Sequence, residues 1–203
     1  MIRCTPLCPD GAASPQAGPP CALDSLLAEH CAPVLLGCKP ANLVSVCRRR
    51  VPALPGLLAG CRRWLEPRGV RLRLLCTCRE RWLLLVYRPA MLARALRRPG
   101  AADLLRRAGC PEGGVEPRLD WLAGRLAGGG AFPHVIGLFL GYPAGDVIGF
   151  CRSGGRDCRL CGYWKVYTDV DRARRRFTLY DDCRARLCGA LAGGDTLRRR
   201  LAG

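Results

Sequence analysis

Apolar positions recur along this chain with two different periods, and they read as helices interleaved with a few strands. Leu23, Leu26, Leu27, Cys31 and Val34 keep helical spacing between Cys21 and Gly37, with Pro33 expected to break or restart the helix and Gly37 to close it. Asn42 to Cys47 reads as a short strand. Leu54, Leu57, Leu58, Cys61 and Leu65 return to helical spacing, and the turn Pro67-Arg68 with Gly69 stops them. Val70, Leu72 and Leu74 then alternate with Arg71 and Arg73, the pattern of a strand with one buried face and a row of guanidinium groups in water. Trp82 to Tyr87 is an almost unbroken apolar run, as a central strand requires, and the turn Cys78 to Arg81 joins the two into a hairpin.

Pro89 starts a short helix that Pro99-Gly100 interrupts, a second runs from Ala101 to Ala108, and a third begins at Pro117. That third helix carries Leu119, Leu122 and Leu126 and ends at Gly128-Gly129-Gly130. Phe132 to Phe150 predicts two short helices, one starting near Pro133 and one near Pro143. Leu160 to Tyr167 predicts one further strand, rich in aromatic and β-branched residues. Thr168 and Asp171 fit a capping box for a last long helix, whose buried stripe is Ala173, Phe177, Tyr180, Leu187 and Leu191. Few strands among many helices predict an α+β fold, a single domain over residues 21–203 with a small, mainly antiparallel sheet of about 3–4 strands. Residues 1–20, with two cysteines, five prolines and no hydrophobic period, read as a disordered tail.

Composition sharpens this picture in one respect. The chain carries 33 Lys plus Arg against 16 Asp plus Glu, a formal net charge of +17, which ordinarily points to an anionic partner. All but two of those cations, Lys39 and Lys165, are arginine in a background heavy in Ala, Gly and Pro. GC-rich codons serve all four residue types, so mutational bias accounts for much of the excess. The runs Arg172 to Arg176 and Arg198 to Arg200 read as solvated helix faces, and contact with nucleic acid is expected only as a salt-sensitive, sequence-indifferent effect. No phosphate-binding loop and no nucleic-acid-binding module is visible. The first twenty residues hold no apolar leader, and no apolar run approaches the roughly 18 residues of a membrane span. A cytoplasmic protein is expected, with its fifteen cysteines as thiols or metal ligands.

The stretch Phe132 to Phe150 holds one charge, Asp146, and one of the two histidines. His134, Tyr142 and Asp146 are expected to converge on a pocket there, with Trp164 stacking on a planar group and Lys165 neutralising an anion. Alternation along a strand lets only one of Trp164 and Lys165 share a side with Tyr163. Gly137 and Gly141, four apart, would let another element approach one helix face, so tight core packing is the competing reading. The function expected is an intracellular binding or accessory protein for a small molecule or a partner protein. One alternative is an enzyme using His134 as general base or ligand, with Asp146 or a cysteine beside it. Another is a zinc or redox protein built on Cys158 and Cys161, with Cys183 and Cys188 completing four thiolates. His30 reads as a boundary or core histidine.

Four stretches resemble a bacterial family known only as a domain of unknown function. They are His30 to Leu43 (HCAPVLLGCKPANL), Val86 to Pro89 (VYRP), Phe132 to Pro143 (FPHVIGLFLGYP) with Asp146-Val147, and Gly162 to Tyr167 (GYWKVY). The resemblance implies a bacterial cytosolic protein and brings no established activity. The family commonly has glutamate after the histidine; this chain has Val135, which counts against a catalytic His-Glu pair.

Overall fold

A computed structural model describes residues 22–77, 80–128 and 132–202. The tail expected at residues 1–20, the turn residues Cys78 and Arg79, and Gly129-Gly130 lie outside the described residues. Three strands, β1 (Ala41–Cys47), β2 (Arg71–Thr77) and β3 (Arg81–Tyr87), form an antiparallel sheet in the order β1-β3-β2. Tyr87 of the central strand faces Ala41 on one side and Arg71 on the other. The apolar run of β3 follows from its place: Trp82, Leu84 and Val86 enter one core, Leu85 and Tyr87 the other.

The first core lies among the sheet, α1 (Ala22–Leu35), α2 (Leu54–Leu65), α8 (Val170–Ala192) and the short α9 (Leu197–Arg200). The second is closed by α3 (Pro89–Leu96), α4 (Pro99–Arg107), α5 (Val115–Ala127) and α6 (Ile136–Phe139). A single α+β domain with helices on both faces of a small antiparallel sheet results. Beside these cores, α7 (Ala144–Ser153), a two-stranded hairpin of β4 (Leu160–Cys161) and β5 (Lys165–Val166), and the first half of α8 surround a smaller aromatic cluster.

The fold departs from the sequence pattern in four places. Pro33 does not break α1 but lies inside its last turn, where it forgoes one N–H to carbonyl bond, and the helix ends two residues later at Leu35. Its carbonyl instead accepts from Cys38 and Lys39 (2.7 and 3.0 Å), and Gly37 reverses the chain at φ 77°. The guanidinium row of β2 is covered by α5: Arg71 pairs with Glu116 (3.3 Å), and Arg73 with Glu116 (2.8 Å) and Asp120. Those carboxylates remain largely in water, so each pair contributes about 0–1 kcal/mol. Leu160 to Tyr167 is not one strand added to the main sheet; it doubles back at Gly162 to Trp164. A Cβ at Gly162 would overlap the Phe177 ring of α8, which fixes the tip against that helix. Last, α8 is capped by Asp169, which accepts from Arg172 N–H at 2.9 Å, while the Thr168 hydroxyl is turned to Asp146.

Candidate functional site

The site begins with two reversals. After Pro133, the N–H groups of Ile136 and Gly137 close a turn onto the carbonyls of Pro133 and His134, and α6 follows as one fully buried turn in the second core. Gly141 then reverses the chain at φ 80°, and a Cβ on it would stand 2.5 Å from Pro40. Gly137 and Gly141 therefore serve close approach, but not from one helix face, since α6 ends at Phe139. The chain is delivered to Tyr142 and to α7 with its direction fixed by glycine and proline.

On α7, Gly145 and Gly149 lie four apart, and the segment leading into α8 presses on them through Thr168 and Tyr167. Asp146, beside them and only 2% exposed, gathers that segment. Its carboxylate accepts from the N–H groups of Tyr167 and Thr168 (both 2.9 Å), the Thr168 hydroxyl (2.8 Å) and the Trp164 indole N–H (2.8 Å). Gly149→Ala is expected to push Tyr167 off α7 and cost roughly 1–2 kcal/mol in denaturant unfolding.

The indole so held stacks on Tyr142 (centroids 5.1 Å, 25°) and meets Phe177 edge-on (4.6 Å, 83°). The Tyr142 hydroxyl donates to the Tyr163 carbonyl (3.1 Å), and the Tyr163 hydroxyl to Asp181 of α8 (2.8 Å). Between this hairpin and the helices α6 and α7 opens a cavity of about 270 Å³. His134, Tyr142, Asp146, Trp164 and Lys165, all five residues singled out in the sequence, line it, together with Phe150. Trp164 and Lys165 both reach it because the hairpin tip abolishes the alternation of a straight strand.

The lining is chiefly apolar, with several aromatic rings, and its polar groups differ in what they have left to offer. Asp146 spends its oxygens on the protein, so it positions Trp164 and leaves little for a guest. The Lys165 ammonium donates to the Gly155 carbonyl, which leaves two of its three donors. His134 is exposed, its ring meeting Phe150 edge-on at 5.0 Å, and it has no hydrogen-bond partner among the described residues.

Other candidates are placed elsewhere. Cys158 is half-buried and Cys161 exposed, the latter on the cavity wall. Cys183 lies not with them but 3.6 Å from Cys38, so the four-thiolate arrangement is not assembled. Among the described residues no group of three His, Cys, Asp or Glu side chains is placed to hold a metal ion. His30 is half-buried and its pKa is lowered, chiefly by burial, in keeping with a boundary position. The α8 residues Arg172, Arg174 and Arg175 are exposed and Arg176 is half-buried. No described helix is long and apolar enough to cross a membrane.

Pattern reading passed over Lys39. It is 3% exposed, with its ammonium 5.5 Å from the Tyr142 ring centre and 5.6 Å from that of Tyr180, and no carboxylate pairs with it among the described residues. Burial pulls its pKa down to about 8, opposed by the neighbouring Cys31. Its signal was its identity: a chain that uses arginine nearly everywhere keeps lysine at two positions, and both adjoin the Tyr142–Trp164 stack.

The family model described as "Protein of unknown function (DUF3793)" matches residues 27–200. The chain belongs to this family. The match begins inside α1 and ends with α9, and so takes in most of the first core, the second core, the aromatic cluster and the cavity. No curated protein and no solved structure matches the chain.

Proposed function

We propose that this member of the family is a binding or accessory protein that takes a small planar molecule bearing an anionic or hydrogen-bond-accepting group in the cavity beside Trp164. One observation carries the reading: His134 and Tyr142 on either side of α6, together with side chains of α7 and the β4–β5 hairpin, enclose a single mostly apolar space, with Lys165 and His134 at its wall. An apolar lining with a few placed polar groups is what small-molecule sites require. The enzyme alternative asks His134 to act as general base with an orienting partner, and the Asp146 carboxylate is occupied by Trp164, Tyr167 and Thr168 instead.

A thermal-shift screen of planar heterocyclic carboxylates and phosphates tests the reading, followed by titration of the best compound. His134→Ala and Phe150→Ala each remove one member of an aromatic contact and are expected to weaken binding by about 2–12-fold. Lys165→Met is expected to abolish any preference for the anionic compound over its neutral analogue. Binding that survives all three substitutions unchanged places the guest elsewhere and removes the assignment.

A further inference from the structure

The turn between α1 and β1 sets Cys38 against α8, where the Cys183 thiol donates to the Cys38 sulfur across 3.6 Å. Both residues belong to the seam between cores: Cys183 is part of the first core, and Cys38 packs against that core and against the cluster of Trp164 and Tyr180. Cys183 is 5% exposed, Cys38 half-buried. Burial and the bond to Cys38 push the Cys183 thiol up to about 12, which keeps it as the proton donor of the pair. Cys38 is the acceptor, the more open of the two, and within electrostatic reach of the Arg88 guanidinium. That guanidinium is itself held by the carbonyls of Val34 (2.6 Å), Leu35 (2.6 Å) and Arg68 (3.0 Å).

We propose that Cys38 and Cys183 form a reversible dithiol–disulfide site that exchanges with low-molecular-weight disulfides, Cys38 attacking and Cys183 resolving. In the first step Cys38 gives its proton to solvent and the resulting thiolate forms a bond to one sulfur of the small disulfide, whose S–S bond breaks and releases a thiolate that takes up a proton. In the second, Cys183 gives its proton to solvent and attacks the Cys38 sulfur. The mixed disulfide breaks, the second small thiolate leaves, and the Cys38–Cys183 bond remains. The two protein thiols lose two electrons, and the small disulfide gains them as two thiols. The product ties α8 to the turn that carries Lys39 and Pro40, and Pro40 is the residue packed under Gly141. The proposal does not depend on the ligand reading.

The test uses the reduced full chain in glutathione buffers of increasing oxidised fraction, quenched by alkylation and mapped by non-reducing peptide mass spectrometry. Exposed Cys151 and Cys161 will accept glutathione whatever the fate of the buried pair, so the readout is the intramolecular disulfide. Cys38–Cys183 is expected to be the first such bond formed, at a more reducing ratio than any other. Cys183→Ser is expected to trap glutathione on Cys38, and Cys38→Ser to leave residue 183 unmodified. The proposal is overturned if another pair closes first, including one that uses Cys4 or Cys8. It is overturned equally if Cys38–Cys183 stays reduced once Cys151 and Cys161 are fully modified, or if Cys183→Ser leaves Cys38 free of glutathione. The wild-type map decides the main point even where a variant fails to fold.

Discussion

Asp146→Ala is expected to destabilise the protein by about 3–5 kcal/mol and to release the β4–β5 hairpin from α7. The carboxylate is 2% exposed and accepts four hydrogen bonds, so its removal strands four donors at once. Those losses do not simply add. Thr168 is exposed and Tyr167 half-buried, so water can replace part of what their groups lose. The Trp164 indole, 7% exposed and flanked by Tyr142 and Phe177, has no such recourse. Its N–H carries the full cost of an unpaired buried donor, about 1–3 kcal/mol, and bonds to a charged acceptor raise the total further. Asp146→Asn keeps the shape but turns an amide NH₂ toward groups that are themselves donors, and an intermediate loss is expected. Urea unfolding followed by tryptophan emission measures both, and near-UV circular dichroism reports whether the Tyr142–Trp164 stack persists. A cost under about 1 kcal/mol for Asp146→Ala would show that the carboxylate does not hold the site together.

That bracket also explains how far the sequence could be read. Periodicity located β1, β2 and β3 and the central place of β3, because each strand's burial is written in its own residues. Residue chemistry, not periodicity, brought His134, Tyr142, Asp146, Trp164 and Lys165 forward, and the fold places all five on one cavity. What local pattern could not carry was any feature set by a distant partner. The β2 arginines look like a solvated row until Glu116 and Asp120 arrive from α5, more than forty residues later. Leu160 to Tyr167 has the composition of a strand, yet Gly162 beneath Phe177 and the indole bound to Asp146 fold it into a hairpin. The capping role fell to Asp169 because Asp146 claims the Thr168 hydroxyl. The Cys38–Cys183 contact joins residues 145 positions apart, beyond the reach of any spacing rule such as the CxxC that singled out Cys158 and Cys161.

Lys39→Met is expected to stabilise the folded protein at pH 7 by about 1–2 kcal/mol, and the gain should vanish on raising the pH through the alkaline range. The ammonium is 3% exposed, and burial is the main reason its pKa falls from 10.5 to about 8. Below about 8 the amine is charged both folded and unfolded, so the folded state bears the whole desolvation cost. Between about 8 and 10.5 the unfolded chain still holds the proton while the folded one has released it, and stability therefore rises with pH across that window. The displacement corresponds to about 3 kcal/mol, and attraction to the Tyr142 and Tyr180 rings offsets part of it, hence the smaller gain expected from methionine. Cys31 and Cys183, both pushed up to about 12 by burial, act in the opposite sense: they hold their protons when folded, and stability falls progressively as the pH rises from 9 toward about 12. The quantity to measure is thus the difference between wild type and Lys39→Met at each pH, in which the thiol contributions largely cancel. It should be positive at pH 7 and shrink toward zero by about pH 10.5. A variant less stable than wild type at pH 7, with a difference that does not change with pH, would mean that the two tyrosine rings more than compensate the buried charge.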